Sequence, residues 1–488
     1  MRNTPFDAAL LTLVTDRADA APLYVQLYEQ LRELILSERL SAAQRLPATR
    51  TLADELGVSR TTVVAAYDQL RSEGYIDARR GSGAFVANVP PDHLLSARSI
   101  AAKPLHPSKK DRQTDLRPPE HRPLPFSPGA VDQDLFPTQL WSRLLDRAWR
   151  RHGCNLLNRS DVRGHVPLQH AISEHLKIWR AIDCNAEQIF VTSGSAEGLR
   201  LVLSSLLDKP DRVFLEDPGY DTFRRVVADQ RHEAVCCPVD GEGLDIAEAE
   251  RRTPNARAAI VTASRHYPLG VTMSLARRLA LLDWAKRTGG WIIEDDYDSE
   301  YRYAGRPLAA LMSLDETERV IYLGSFSKVL FPTLRLGYVV APQGAVDLFT
   351  TALRSIGSSA SMVAQPALAE FIESGAFASH IRRMRRVYGR RLVALRQALD
   401  AHCQGLLEPA GTDGGMHIVA RLSEKLARDT SDIELSRRAH AAGLIAPAIS
   451  SHAIEHHDVQ GLVLGFAAFQ ECELAKGVRC LASVLAKR

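Results

Sequence analysis

Lys328 follows Ser325, Phe326 and Ser327 just past the apolar run VIYLGS, and Arg335 stands seven residues further on, in SFSKVLFPTLRLGY. A lysine in a loop after a strand is placed to attack a carbonyl, and a guanidinium beside the Ser325 hydroxyl makes charge-assisted contacts to a phosphate. Upstream, WIIEDDYD sets Asp295 and Tyr297 two apart at the end of another strand, so a carboxylate and a phenol face the same side. TSGSAEGL is a Gly-rich strand-to-helix turn in which the amides of Ser195 and Ala196 can cradle a phosphate at a helix N-terminus. Tyr220, in EDPGY, follows a further strand and is placed to stack on or edge a planar ring. Singly, these signals are weak, because a lysine after a strand is usually surface and a GSG turn is usually only a turn. Together they supply a lysine for aldimine formation, a carboxylate for a pyridine nitrogen, a phenol for a ring hydroxyl and anion-binding groups. Those are the requirements of pyridoxal 5'-phosphate (PLP) chemistry. The acidic EDD could instead be a strand-end cluster that holds a metal, but no His or further carboxylate stands at ligand spacing, so no metal is expected.

The elements that must position these residues alternate. Beyond Phe126, helical stretches separate the short apolar runs QIFVTSG, RVFLEDPGY, AAIVTAS, WIIEDDYD, VIYLGSFSK and LGYVVAP. Such alternation predicts an α/β doubly wound sheet of mainly parallel strands. From about residue 370 helices dominate, with FIESGAFASHIRRMRRVYGRRLVALRQAL as one long amphipathic stretch, and a small α+β C-terminal subdomain is expected to follow. The adjacent Cys236 and Cys237 fit a buried strand better than a redox switch.

The first ninety residues follow another pattern. Leu23, Leu27, Leu31, Leu34 and Ile35 share one face of a helix. A second helix runs from about Arg50 to Leu56 and stops at Gly57, and a third starts after Ser59, a good N-cap, and continues to Gly74. YIDARRGSGAFVA then reads as two strands about a Gly-Ser-Gly turn. Three helices and a hairpin make a winged helix-turn-helix. Its third helix would present Ser59, Arg60, Thr61 and Thr62 to the major groove, Arg50 would reach a phosphate, and Arg79 and Arg80 on the wing would touch backbone or minor groove. The alternative for each arginine is a merely solvated side chain. Charge does not decide, because residues 1–90 carry ten Lys/Arg against eleven Asp/Glu and the whole chain is only +3.

The expected layout of the 488 residues is a DNA-binding unit over 1–87, a linker over 88–125 rich in Pro and basic residues, and the α/β unit over 126–488. Composition is that of an ordinary globular protein, with 45% hydrophobic and 24% charged residues. The seven cysteines are scattered, no signal peptide is visible, and no apolar run approaches the length of a bilayer span, so a reducing cytoplasm is the expected location.

Two stretches carry a resemblance. PLYVQLYEQLR, RLPATRTLADELGVSRTTVVAAYDQL, EGYI and RRGSGAFV are similar to the GntR-family winged helix, with SERLSAAQRLP departing where that family has glycines near Glu38 and Ala43. LFPTQLWSRLL, EDPGY, PLGVTMSLARRLALLDWA, WIIEDDYDSEYRYAGRPL, SFSKVLFPTLRLGY and HIRRMRRVYGRR resemble the fold-type I aminotransferase-like domain of MocR-type (GabR/PdxR-like) regulators, a branch of the GntR family. The resemblance implies PLP held at Lys328 and a homodimer in which each DNA-binding arm lies over the partner's large domain. Three positions depart from the family's pattern. RSDVRG puts Arg159 where relatives have a tyrosine that reaches the partner's phosphate, which makes a phosphate contact in trans the expectation. SRHYPLG brings in Arg265 and His266. Val463, in GLVLGFAAF, stands where aminotransferases carry the arginine that grips a substrate carboxylate.

The expected function is therefore a DNA-binding transcription regulator that senses PLP, or a PLP adduct of an amine, through an aminotransferase-like domain. The alternatives are an active aminotransferase with an appended DNA-binding arm, and a DNA-binding protein whose enzyme domain is only structural. The missing carboxylate arginine speaks against sustained turnover, and the retained Lys328, Asp295, Tyr297 and Arg335 speak against a dead domain.

Overall fold

The computed structural model describes residues 10–16, 21–37, 39–79, 83–87, 122–158, 161–303, 309–357, 360–411 and 414–486. The chain divides into two compact units, residues 1–118 and 119–488.

In the first unit, α1 (Leu23–Leu36), α2 (Thr49–Leu56) and α3 (Arg60–Ser72) are followed by the hairpin β1 (Ile76–Arg79) and β2 (Gly83–Val86). Leu27, Leu31, Leu34 and Ile35 of α1 pack on Val63, Ala66 and Leu70 of α3, and Tyr75, Ile76 and Val86 close the core; Leu23 is only half-buried. Gly57, at φ +63°, ends α2, and the Ser59 hydroxyl accepts from the Thr62 amide to cap α3. Arg45 forms a further bridge to Phe85 that local patterning did not suggest, with the Leu46 amide donating to the Ala84 carbonyl. Ala43, where the related winged helices have a glycine nearby, adopts φ +61°. A left-handed L-residue costs about 1–2 kcal/mol, part of which glycine returns through its freer unfolded chain. Ala43→Gly is therefore expected to raise the stability of this unit by about 0.5 kcal/mol in a melting experiment, and a loss of more than ~1 kcal/mol would contradict the strain.

The second unit is built on an eight-stranded sheet of β3 (Ile189–Thr192), β4 (Arg212–Asp217), β5 (Glu233–Asp240), β6 (Gly243–Leu244), β7 (Ala256–Val261), β8 (Trp291–Asp296), β9 (Val320–Ser325) and β10 (Gly337–Val340). The strand order is β3-β10-β9-β8-β7-β4-β5-β6. The run β9-β8-β7-β4-β5 is parallel throughout, whereas β10 is antiparallel to both β3 and β9. All four residues of β3 and five of the six in β8 are buried, as expected of strands covered on both faces. Cys236 and Cys237 lie buried in β5. A three-stranded antiparallel sheet, β11 (Leu407–Ala410), β12 (His417–Leu422) and β13 (Gly461–Gly465), makes the small subdomain with the helices Ala376–Cys403 and Glu471–Ala486.

Two expectations need adjusting. The long helical stretch is broken: one helix spans Gln365–Glu373 and the next Ala376–Cys403, with Gly375 between them at φ +76°. A left-handed glycine ends one helix and re-aims the next, although the apolar periodicity runs through it. Residues 124–126 already belong to the second unit, because the Ile445 amide donates to the Pro125 carbonyl and Phe126 bridges to Gly465. The rest of the expected linker up to residue 121 lies outside the described residues.

Candidate functional site

The C-terminal ends of β3, β4, β7, β8 and β9 lie along one side of the large sheet, where open α/β sheets form their ligand crevices. A cavity of about 560 Å³ opens there. Its walls include Ser193, Ser195, Ala196, Tyr220, Thr262, Asp295, Tyr297, Ser325, Ser327, Lys328 and Arg335, so every residue expected at a cofactor pocket from the described chain is brought to one place. Arg159 is the exception and lies outside the described residues.

Lys328 is held over this cavity by its surroundings. Its Nζ donates to the Gly129 carbonyl at 3.2 Å, and a Cβ on Gly129 would lie 2.6 Å from that nitrogen. The Tyr301 hydroxyl donates to the main-chain carbonyls of Lys328 and Val329, both at 3.2 Å, and His380 Nε2 lies 3.2 Å from the latter. These contacts fix the loop after β9 and hold the amine over the cavity. Burial pushes the Lys328 pKa down, against the pull of Asp298 and Asp295. The amine is thus more often neutral, and nucleophilic, than a surface lysine. At the opposite wall the helix Ser195–Leu206 begins after Gly194, at φ +107°, with no side-chain cap. Its first helical bond runs from Gly198, which leaves the Ser195 and Ala196 amides pointing off the helix end. Arg335 is exposed at the cavity mouth.

β8 sorts its acids by the two-residue period of a strand. Asp295 faces the cavity, and Glu294 and Asp296 face away toward Arg180, whose Nε sits 2.8 Å from Asp296 Oδ2 while an Nη lies 3.8 Å from Glu294. The Tyr322 and Ser299 hydroxyls donate to the same Asp296 oxygen at 2.6 and 2.8 Å. Two of the acids in EDD are therefore neutralised behind the sheet, and among the described residues no group of three His, Cys, Asp or Glu forms a metal cluster. Asp295 is different. Its Oδ1 is buried without a hydrogen-bond partner, whereas the Tyr297 hydroxyl lies against the Arg265 guanidinium. Burial, then Asp296, Glu216 and Asp298, hold the Asp295 carboxyl well above the usual carboxylate range. Unsatisfied buried polar atoms facing a cavity are costly, and a ligand with matching groups removes that cost.

Residues that local patterning did not single out complete the walls: Gly129, Thr222, Thr262, Tyr267, Met416 and His417. Tyr267 is an aromatic hub, with Tyr220, Tyr297, His417 and His452 around it at centroid distances of 5.2 to 6.3 Å. It stands in the SRHYPLG run, whose arginine and histidine drew notice first. Arg265 does not line the cavity; it is buried against His417 and Asp298. His266 lies beneath, 3.6 Å from Glu216, and burial pushes it down to about 3. Val463 is buried in an apolar cluster with Val239, Leu269, Val419 and Ile449.

In the first unit, Arg50, Ser59, Arg60 and Thr61 are exposed and Thr62 is half-exposed at the start of α2 and α3. The Ser59 hydroxyl is shared with those of Thr61 and Thr62, each at 2.7 Å, which orders the first turn of α3. The side chain of Arg79 and all of Arg80 lie outside the described residues.

Two family models match the chain, bacterial regulatory proteins of the gntR family over residues 23–86 and aminotransferase class I and II over residues 135–457. The chain is 38% identical over 476 residues to the probable rhizopine catabolism regulatory protein MocR of Rhizobium meliloti, covering 96% of this chain and 95% of that protein. It belongs to the MocR-type branch of the GntR family of transcription regulators. A second MocR-type relative, the pyridoxine biosynthesis regulator PdxR of Corynebacterium glutamicum, is 35% identical over 448 residues, covering 91% and 92% of the two chains. The second unit also superposes on the alpha-aminoadipate aminotransferase LysN of Thermus thermophilus, solved with N-(5'-phosphopyridoxyl)-L-leucine. That match has a TM-score of 0.67 and 28% identity, and covers 74% of this chain and 92% of the other. The N-terminal unit is thus a DNA-binding winged helix-turn-helix and the second an aminotransferase-like α/β domain. No helix among the described residues is long and apolar enough to cross a membrane.

Proposed function

We propose that the protein is a PLP-responsive transcription regulator, in which PLP occupies the cavity at the strand ends and biases the protein's affinity for operator DNA. The observation that carries this reading is the buried, unpartnered Asp295 Oδ1, facing the same cavity as Lys328. When bound, PLP supplies a carbonyl for an amine to attack and an electron-withdrawing ring. The residues present fit it. Asp295 would hold the ring nitrogen in its protonated form, Tyr297 would bond the ring hydroxyl and Tyr220 would edge the ring. The Ser195 and Ala196 amides, the hydroxyls of Ser325 and Ser327, and Arg335 would hold the phosphate. Lys328, its pKa pushed down by burial, would attach the cofactor covalently.

Arg60, Thr61 and Thr62 would read base edges while Arg50 and Ser59 contact phosphates. Assembly as a homodimer is carried over from the family resemblance. Sensing requires that the ligand favour one DNA-competence state over the other. The cofactor assignment is tested by loading the protein with PLP, reducing with borohydride and mapping the modified peptide by mass spectrometry. The label is expected on Lys328 and nowhere else; labelling spread over surface lysines, or unchanged in Lys328→Ala, would overturn it.

A further inference from the structure

Arg265 is only 5% exposed, in a space that two glycines keep clear for it. A Cβ on Gly415 would lie 2.4 Å from its Nε, and one on Gly270 would lie 3.2 Å from one of its Nη atoms. Both glycines have positive φ, +70° and +69°, so the backbone here suits residues without a side chain. One Nη donates to the His417 carbonyl, and the other lies 3.3 Å from His417 Nε2 and 3.7 Å from Asp298. The guanidinium also lies against the Tyr297 hydroxyl. Arg265 Nε and that hydroxyl are both buried, and neither has a hydrogen bond elsewhere among the described residues.

Tyr297 is on the cavity wall and Arg265 is not. A guanidinium donates and never accepts, so at Tyr297 it can only give a hydrogen bond to the phenol oxygen. The phenol's own proton is then left to point into the cavity, and a hydroxyl that accepts from a cation is the stronger donor for it. The charged groups that face this phenol are Asp298 and Arg265. Tyr267 also stands near it and keeps its proton, its pKa pushed up to about 12 by burial. His417, on the far end of the guanidinium, is held neutral by burial and by Arg265 itself.

We propose that Arg265 is a positioning residue for the cofactor and acts through Tyr297: it turns the phenol's proton toward the hydroxyl of the PLP ring and strengthens that hydrogen bond. This rests on the PLP reading above. A donor at the ring oxygen favours the form in which that oxygen carries charge, and so lowers the pH at which bound PLP loses its proton. That pH is read from the visible spectrum of the full-length, PLP-loaded protein. Arg265→Gln is expected to raise the midpoint by about one pH unit, a tenfold change in proton affinity, and Tyr297→Phe to raise it at least as far. Once Tyr297→Phe is in place, adding Arg265→Gln is expected to shift it no further. Gly415→Ala keeps the charge but pushes the guanidinium aside; it is expected to move the midpoint the same way, and it carries the test if Arg265→Gln does not fold. An unchanged midpoint in either of these two variants would overturn the proposal. So would an equal shift by Arg265→Gln with and without the Tyr297 hydroxyl, which would show a general field and no path through the phenol. Failure of the wild type to take up PLP, seen before any variant is compared, would instead sink the cofactor reading on which the proposal stands.

Discussion

Asp295→Asn is expected to weaken PLP binding by roughly 10²–10³-fold while raising the stability of the cofactor-free protein. Removing one member of a buried charge pair costs about 3–5 kcal/mol. Here that pair forms only when the ring nitrogen meets Asp295. Without the cofactor, burial and then Asp296, Glu216 and Asp298 raise the Asp295 pKa. The folded protein therefore keeps a proton that the unfolded chain releases above about pH 4, and stability falls as pH rises from there through the raised value. Glu216 and Asp298, each pushed up to about 7 by burial, act in the same direction. The stability of cofactor-free wild type relative to Asp295→Asn is accordingly expected to be higher near pH 5 than near pH 8, a difference from which the opposing buried histidines cancel. Equal PLP affinity in wild type and variant would remove Asp295 from the pocket's chemistry.

Arg180→Ala should strongly destabilise the large unit. Arg180 and Glu294 are 2% and 0% exposed, and Asp296 is buried beside them. Removing the guanidinium leaves two buried carboxylates facing each other, at a cost of about 3–5 kcal/mol. That is a large share of the ~5–15 kcal/mol that holds a typical protein together. Chemical denaturation would measure the loss. Combining Arg180→Met with Glu294→Gln and Asp296→Asn should recover most of it, since the penalty lies in the unpaired charges and not in the lost packing. A loss below ~1 kcal/mol for Arg180→Ala would show that water or relaxation screens the cluster.

The pocket was legible in the sequence where a residue's role depends on its own strand. Asp295 and Tyr297 share a face because side chains alternate along a strand, and Lys328, Ser195 and Tyr220 stand just past strands whose apolar runs are plain. The same alternation explains why Glu294 and Asp296 belong to a different structure, the Arg180 cluster, although they are neighbours of Asp295 in EDD. Gly129, Tyr267, Tyr301 and His417 were hidden because they reach Lys328 or the cavity from distant parts of the chain, and no local spacing encodes such a meeting. Arg265 invited a ligand-binding role by its residue type, and only its contacts with His417 and Asp298 show where its charge is used. The break at Gly375 escaped for a related reason: a run of apolar residues at helical spacing carries no sign of a left-handed residue within it.

The proposed regulation requires that PLP in the cavity change the affinity of the DNA-binding unit. It is tested most directly by measuring the affinity of the full-length protein for the DNA upstream of its own gene, with and without PLP and at fixed salt, for wild type and Lys328→Ala. Allosteric couplings are commonly about 1–3 kcal/mol, so PLP is expected to change the wild-type affinity by about fivefold or more and to leave that of Lys328→Ala unchanged. A wild-type affinity identical with and without PLP would contradict the account.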